Sequence, residues 1–199
     1  MKIQTIAVVA FALLCSVAFA QQGPPPRDLM LTKKIFFALG PKTITEIKLT
    51  DAEKTKILDA FDGGLEVDGN RISLRLTGGQ DLAAMEAEAL KVLDKDQTKR
   101  LQELWIQYIG GLAIADDTVA KQLGLSDEQK KKADKLVDKG GSEASELLTG
   151  EPDPSVGKKI NEIRSKYGKK ILALLTDDQA KTFETLKGKP FKFGDGPQN

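Results

Sequence analysis

Four short segments of this sequence share one pattern: a leucine, then Thr, Ser or Asp, and three residues after that a Glu or Gln. At a helix N-cap, the Thr, Ser or Asp side chain accepts a hydrogen bond from the third helical amide. The Glu or Gln at that third position bonds back to the amide of the cap. The preceding leucine suits a hydrophobic staple. Each segment therefore predicts a helix start, and the residues that carry the pattern are Leu49, Thr50, Glu53, Leu93, Asp94, Gln97, Leu125, Ser126, Gln129, Leu175, Thr176 and Gln179.

The spacing of the four segments indicates an internal duplication. The first and third are 76 residues apart, and the second and fourth are 82 apart. A repeated helical unit buries its apolar face by packing on its neighbour. We therefore expect a mainly α fold with two related helical halves, 29–110 and 112–192, packed as one helical domain.

Apolar periodicity predicts three long helices, two of which follow these starts. Apolar residues recur at helical spacing from Leu101 to Ile109, and Gly110-Gly111 then predicts a helix end. A second stripe runs from Val156 to Leu174 after a predicted Ser155 cap. A third continues across Gly140-Gly141, which predicts one long helix with a weak point at the glycines. Shorter helices are predicted at 29–38, 43–48, 53–61, 81–92, 117–123 and 177–187.

The segment 65–76 departs from the helical pattern. Its apolar and polar residues alternate around Asp68-Gly69, which is typical of a two-stranded β-hairpin. Since an isolated hairpin is barely stable in water, we expect it to pack on the helices or against a second copy of the chain.

The N-terminus has the features of a secretory signal peptide. Lys2 precedes the apolar run 6–14, and Ala18-Phe19-Ala20 forms a small-residue cleavage site. We expect residues 1–20 to be removed and the protein to be periplasmic or secreted. We expect no stable membrane span after cleavage, because a span takes about 20 consecutive apolar residues. Residues 21–28 are predicted to be a disordered Pro-rich leader, and residues 193–199 a disordered tail.

Composition argues against most enzyme chemistry. The chain has no histidine, and its one cysteine, Cys15, lies within the predicted signal peptide. Histidine acid–base catalysis, thiolate nucleophiles and Cys/His zinc sites are therefore excluded for the processed chain. We accordingly expect no catalytic residue, no metal site and no cofactor.

The charge balance argues against a nucleic-acid partner. Without Lys2, the 29 basic side chains equal the 29 acidic ones. Residues 21–117 have an acidic excess of three charges and residues 118–199 a matching basic excess. This polarity could favour an antiparallel homodimer, although chance asymmetry on solvated helix faces is the commoner explanation.

Two groups of acidic residues could suggest a metal site or a hydrolase. One comprises Asp62, Glu66, Asp68 and Asn70, and the other is the pair Asp116-Asp117. Their spacing does not fit the EF-hand calcium loop. A turn role for Asp68 and a helix-cap role for Asp116 or Asp117 are the commoner interpretations.

Clustered lysines could form a client-binding face. The candidates are Lys130, Lys131, Lys158, Lys159, Lys169 and Lys170. They could bind unfolded acidic clients or phosphates, but such lysines are more often the solvated face of an amphipathic helix. Trp105 and Tyr108 could similarly line a groove, although their place in an apolar stripe favours core packing.

The repeated Leu-Thr-x-x-Gln pattern behind a signal peptide resembles the Spy/CpxP family of periplasmic LTxxQ-motif proteins. The segment 175–179 matches the motif fully, and the other three each differ at one position. The similarity runs from about Leu29 to Phe193 and is strongest to a duplicated branch that ends in a segment like Gly188–Phe193. It implies a helical, often dimeric cradle that binds unfolded envelope proteins without ATP or tunes a stress sensor.

Three functions therefore stand as hypotheses. The first is a non-enzymatic periplasmic chaperone or holdase for unfolded or partly folded envelope proteins. The second is an interaction module that binds one folded envelope partner, either a sensor or a scaffold. The third is a hydrolase that uses Asp62 or Glu66.

Overall fold

The computed structural model describes residues 16–17, 26–68, 71–75, 80–149 and 154–193. Within these ranges the chain is mainly α-helical with a small sheet, as predicted. The first elements are β1 (Ser16–Val17), α1 (Pro26–Met30), α2 (Lys34–Ala38), α3 (Pro41–Glu46), α4 (Asp51–Asp59), β2 (Leu65–Asp68), β3 (Arg71–Leu74), α5 (Leu82–Leu90) and α6 (Lys95–Ile109). They are followed by a 3₁₀ helix (Gly110–Ala115), α7 (Asp117–Gln122), α8 (Asp127–Glu146), α9 (Val156–Leu172) and α10 (Asp177–Leu186).

All four predicted capping boxes are present. In each one the cap side chain accepts a hydrogen bond from the amide three residues on, and the Glu or Gln at that position accepts one from the amide of the cap. At Asp94, for example, the two donor–acceptor distances are 2.8 and 2.9 Å. The boxes begin α4, α6, α8 and α10, so the prediction of these helix starts is confirmed.

The capping boxes also join in pairs, which local sequence rules do not predict. Gln97 Nε2 donates to Glu53 Oε2 at 3.2 Å, so the box of α6 touches that of α4. Gln129 Nε2 donates to Gln179 Oε1 at 2.8 Å, and Gln179 Nε2 donates to Gln129 Oε1 at 3.2 Å. The two helix starts of each half are thus hydrogen-bonded to each other.

A second backbone feature recurs at the 76-residue spacing. The Leu49 amide donates to the Ile44 carbonyl at 2.9 Å, and the Leu125 amide donates to the Ala120 carbonyl at 3.0 Å. The residues just before these leucines, Lys48 and Gly124, both have left-handed backbone, with φ of 55° and 60°. This is the Schellman pattern of a helix C-terminus, and the same turn therefore leads from α3 into α4 and from α7 into α8.

One hydrophobic core joins residues of both predicted halves. The buried face of α6 includes Leu101, Leu104 and Trp105, and the Trp105 indole N–H donates to the Thr32 carbonyl at 2.7 Å. The interpretation of Trp105 as a core residue is therefore confirmed. Helix α1 packs on α8, and α9 packs on the 3₁₀ helix, so elements from both predicted halves contribute to the same core.

The long helix α8 is continuous through Gly140-Gly141, as predicted. Both glycines are buried, and Gly140 lies at a close contact between helices. A Cβ on Gly140 would lie 2.6 Å from Met30 Cε and 2.9 Å from Tyr167 Cδ2. Gly140 therefore allows α1 and α9 to approach α8.

The predicted hairpin is confirmed over the described residues. Strands β2 and β3 pair antiparallel with Leu65 opposite Leu74 and Val67 opposite Ile72. Leu65, Ile72 and Leu74 are buried, so the hairpin is stabilised by packing on the helices. Strand β1 adds to the other edge of β3 in parallel.

Several boundaries at the chain termini differ from the prediction. The leader was expected to extend to residue 28, but α1 begins at Pro26, where the missing N–H of proline removes no helical hydrogen bond. Arg27 holds α1 to α8 through an ion pair with Asp134 at 2.7 Å. At the other end, the Phe193 ring packs on Tyr108 with centroids 5.7 Å apart, so residue 193 belongs to the fold. Residues 1–15, 18–25 and 194–199 lie outside the described residues, and with them most of the predicted signal peptide and tail.

Two further helix predictions are corrected. The predicted helix 29–38 is broken at residues 31–33. The Trp105 indole N–H donates to the Thr32 carbonyl there, and the Ile35 amide just after the break donates to the Glu86 carboxylate at 3.1 Å. Ser155 precedes α9 as predicted, but its side chain does not cap the helix because its backbone is already helical. By contrast, Asp116 caps α7, because its side chain accepts hydrogen bonds from the Thr118 and Val119 amides. Asp116 is one of the two residues predicted as the cap. No helix within the described ranges is long and apolar enough to span a membrane.

The cap assignment leads to a stability prediction. Changing Ser126 or Thr176 to Ala leaves a first-turn amide of α8 or α10 without its acceptor. We expect each variant to lose about 1 kcal/mol of unfolding free energy, measured by urea denaturation. Thr182→Ala, an exposed position inside α10, serves as the control. Unchanged midpoints for both cap variants would contradict the assignment.

The repeated turn leads to a paired prediction. A Cβ on Gly124 meets no atom within 4 Å, so Gly124→Ala strains only the left-handed backbone. We expect this variant to lose about 1 kcal/mol of stability. Lys48→Gly relieves the same strain at an exposed position, and we expect it to gain up to about 1 kcal/mol. Thermal and urea unfolding measure both changes, and shifts of the same sign would refute the equivalence of the two turns.

Candidate functional site: a cavity between α6, α9 and α10

A cavity of about 310 Å³ lies where the end of α6, one face of α9 and the side of α10 meet. Helix α9 contributes Asn161, Arg164, Gly168 and Leu172, which follow the spacing of three or four residues that places side chains on one helical face. The adjacent stripe of α9, which includes Ile163, Tyr167 and Ile171, enters the core. One helix therefore both fills the core and lines the cavity.

The base of the cavity depends on a close approach of two backbones. Gly111, in the 3₁₀ helix, faces Gly168 of α9, and a Cβ on Gly111 would lie 2.2 Å from the Gly168 carbonyl oxygen. Any larger residue at position 111 would push α9 away. The glycine pair that ends α6 therefore also sets the distance between the two walls.

The walls are largely apolar. Tyr108 and Ile109 line one side, and Leu172 and Phe183 line the other. Leu172 is 37% exposed, which places it at the open mouth of the cavity. The arrangement matches the usual ligand pocket, in which apolar walls surround a few polar groups.

The charged groups of the cavity are all cationic: Arg164, Lys169 and Lys187 line it, and none of its lining residues is acidic. Lys187 pairs with Glu184 at 2.5 Å and lies 5.1 Å from the centre of the Phe183 ring. Lys169 is exposed at the rim. The cavity therefore presents a positive field to solvent.

Arg164 is a partly buried cation that lines the cavity. Its Nε donates to the Leu29 carbonyl at 2.8 Å, and among the described residues no carboxylate pairs with it. Burial lowers the pKa of Arg164, because removal from water disfavours the charged form, although a guanidinium stays protonated at neutral pH. The side chain thus carries its full charge into a poorly solvated place.

The C-terminal segment 187–193 is held beside the cavity by hydrogen bonds. Gln107 Nε2 donates to the carbonyls of Lys187 and Lys189 at 2.5 and 2.9 Å, and Gln107 Oε1 accepts from the Phe191 amide at 2.9 Å. Arg100 donates to the Lys189 carbonyl as well. Phe193 of this segment packs on the rings of Tyr108 and Phe37.

A second cavity of about 260 Å³ lies between α1, α2 and α5. Its charges balance: Lys34 pairs with Asp116 at 2.9 Å, and Lys33 lies between Asp28 and Glu86. Burial raises the pKa of Glu86, while the amide bonds at the start of α2 act in the opposite direction. Because the Glu86 carboxylate accepts a hydrogen bond from the first turn of α2, it already stabilises the fold.

At least two of the six lysines of the predicted client-binding face contact other side chains. Lys130 is engaged by Asp117 at 3.1 Å and Asp134 at 2.7 Å, and Lys170 lies 5.0 Å from the Tyr167 ring centre. Of the six lysines, Lys169 lines the cavity. The others are exposed at separate positions, and they are Lys131, Lys158 and Lys159.

The acidic candidates form no cleft in the described part of the chain. Asp62, Glu66 and Asp68 are exposed, and none of them lines either cavity. Asp116 caps α7 and pairs with Lys34. Within the described ranges, no group of three His, Cys, Asp or Glu is placed to hold a metal ion.

Sequence reasoning missed Arg164 and Gln107. Both are single polar residues beside an apolar stripe, and nothing in their spacing distinguishes them from solvated helix positions. Comparison with protein-family models, curated proteins and solved structures finds no match to this chain.

The role of Gln107 can be tested. We expect Gln107→Ala to release the segment 187–193, because three of the hydrogen bonds that hold it are lost together. Amide hydrogen exchange at Phe191 should rise at least about tenfold, while exchange within α8 stays unchanged. Gln102→Ala, at a neighbouring polar position of α6, is the control. Unaltered exchange at Phe191 would show that aromatic packing alone holds the segment.

Proposed function

We propose that this protein is an exported, non-enzymatic binding protein that holds unfolded or partly folded envelope proteins without ATP. The export signal predicted at residues 1–20 and the resemblance of the four Leu-Thr-x-x-Gln segments to the Spy/CpxP family support this function. The observation that carries it is the open cavity of α6, α9 and α10, which has apolar walls and a cationic rim. Such a surface can hold exposed apolar chain segments weakly and release them without chemistry.

Exposed apolar side chains mark where a client would first make contact. Among the described residues, the large apolar side chains that are exposed are Leu172 at 37% and Leu148 at 46%. Leu172 lies at the mouth of the cavity, whereas Leu148 follows the end of α8 and lines neither cavity. The two leucines therefore provide a test position and a matched control.

The experiment is an aggregation assay with the chain lacking residues 1–20 and a chemically unfolded model client. We expect suppression of light scattering at a near-stoichiometric ratio, without nucleotide. Leu172→Asp should weaken suppression at least about fivefold, because it places a charge where apolar client side chains bind. Leu148→Asp should leave suppression within twofold of the parent chain.

Circular dichroism must show that each variant remains helical. A folded parent protein that suppresses no aggregation at any ratio would refute the proposal. Capture of binding partners from envelope extract then distinguishes a holdase from an interaction module. One stoichiometric folded partner indicates an interaction module.

A further inference from the structure

Arg164 differs from the other partly buried arginines of this protein. Arg27 contacts two carboxylates, Asp134 at 2.7 Å and Asp138 at 3.4 Å. Arg100 also contacts two, Glu46 and Glu103, each at 2.7 Å. Arg164 donates to the Leu29 carbonyl and, within the described residues, pairs with no carboxylate.

A partly buried cation without an opposite charge is destabilising, because the desolvation that it does undergo is not repaid. Arg164 lines the cavity, whereas Lys169, five residues further along, is exposed. The Nε of Arg164 donates to the Leu29 carbonyl. The remaining N–H donors of the planar fork are suited to a carboxylate, which can accept two parallel hydrogen bonds.

The other walls define the rest of the ligand. The lining also includes the apolar side chains of Ile109, Leu172 and Phe183, beside the polar side chains of Asn161 and Ser165. A volume of about 310 Å³ is at the lower end of the range for small-molecule pockets, so the ligand is small. Lys169 at the rim adds a positive field that attracts anions toward the mouth.

We infer that the cavity is a binding site for a small organic acid, with one carboxylate on Arg164 and an apolar body against Ile109, Leu172 and Phe183. This inference rests on the cavity alone and does not depend on the holdase function.

The test uses pairs of ligands that differ in charge or in apolar body. The full-length chain is titrated calorimetrically with octanoate and 3-phenylpropionate, with octanamide as the uncharged match and acetate as the anion without a body. We expect both acids to bind, octanamide to bind at least about tenfold more weakly than octanoate, and acetate to show no saturable binding. Equal binding of octanoate and octanamide, or binding of neither acid, would overturn the inference.

A variant that supplies the missing carboxylate gives an independent test. Asn161 precedes Arg164 by three residues on the same face of α9, so Asn161→Glu can pair with the guanidinium without removing its bond to Leu29. We expect Asn161→Glu to weaken octanoate binding at least about tenfold and to raise the melting temperature. Asn161→Gln, which has the same length and no charge, should weaken octanoate binding less than Asn161→Glu does, which separates the effect of charge from that of size.

Arg164→Lys and Arg164→Gln complete the set. Lysine keeps the charge without the planar fork, so its octanoate affinity should fall between those of the parent chain and the glutamine variant. Unchanged octanoate affinity in both Asn161→Glu and Arg164→Gln would refute the assignment of the carboxylate to Arg164. Aggregation suppression in a protein that binds neither acid would leave the proposed function standing and remove this inference alone.

Discussion

The architecture depends on how the first-turn amides of four helices are satisfied. A first-turn amide that lacks an acceptor is an unpaired donor. In each capping box the side chain of Thr, Ser or Asp provides that acceptor. The returning Glu or Gln does more than close the box. Its amide nitrogen, or the carboxylate of Glu53, reaches the box of another helix, so that α4 meets α6 and α8 meets α10 at fixed positions.

This use of the motif bears on where function can lie. Gln97 is buried, and Gln129 and Gln179 donate to each other and to the Leu174 and Gly124 carbonyls. Their polar atoms are thus engaged in joining helices. The cavity lies instead between other faces of α6, α9 and α10, and it is lined by Arg164 and Leu172, which are not part of any Leu-Thr-x-x-Gln segment.

The candidate site shows why clustered charge is a poor guide to binding. Three consecutive lysines lie in the first two turns of α8, yet Lys130 and Lys132 form ion pairs along the surface with Asp134 and Glu128. The cation with the strongest reason to bind a ligand is a single arginine. Its surroundings come from α6 and α10, which are distant in sequence, so no local pattern could show that it lacks a carboxylate.

The sequence by itself determined the helix starts, the glycine stop after Ile109, the apolar stripes and the hairpin, because capping, turn chemistry and periodicity act within a few residues. The tertiary structure decided the rest: the addition of α1 at Pro26, the break at residues 31–33, the pairing of the capping boxes and the cavity around Arg164. Each of these needs a partner more than 40 residues away, such as Asp134 for Arg27 or Trp105 for Thr32. Long-range packing brings such partners together, and the local sequence around one residue does not specify its distant partner.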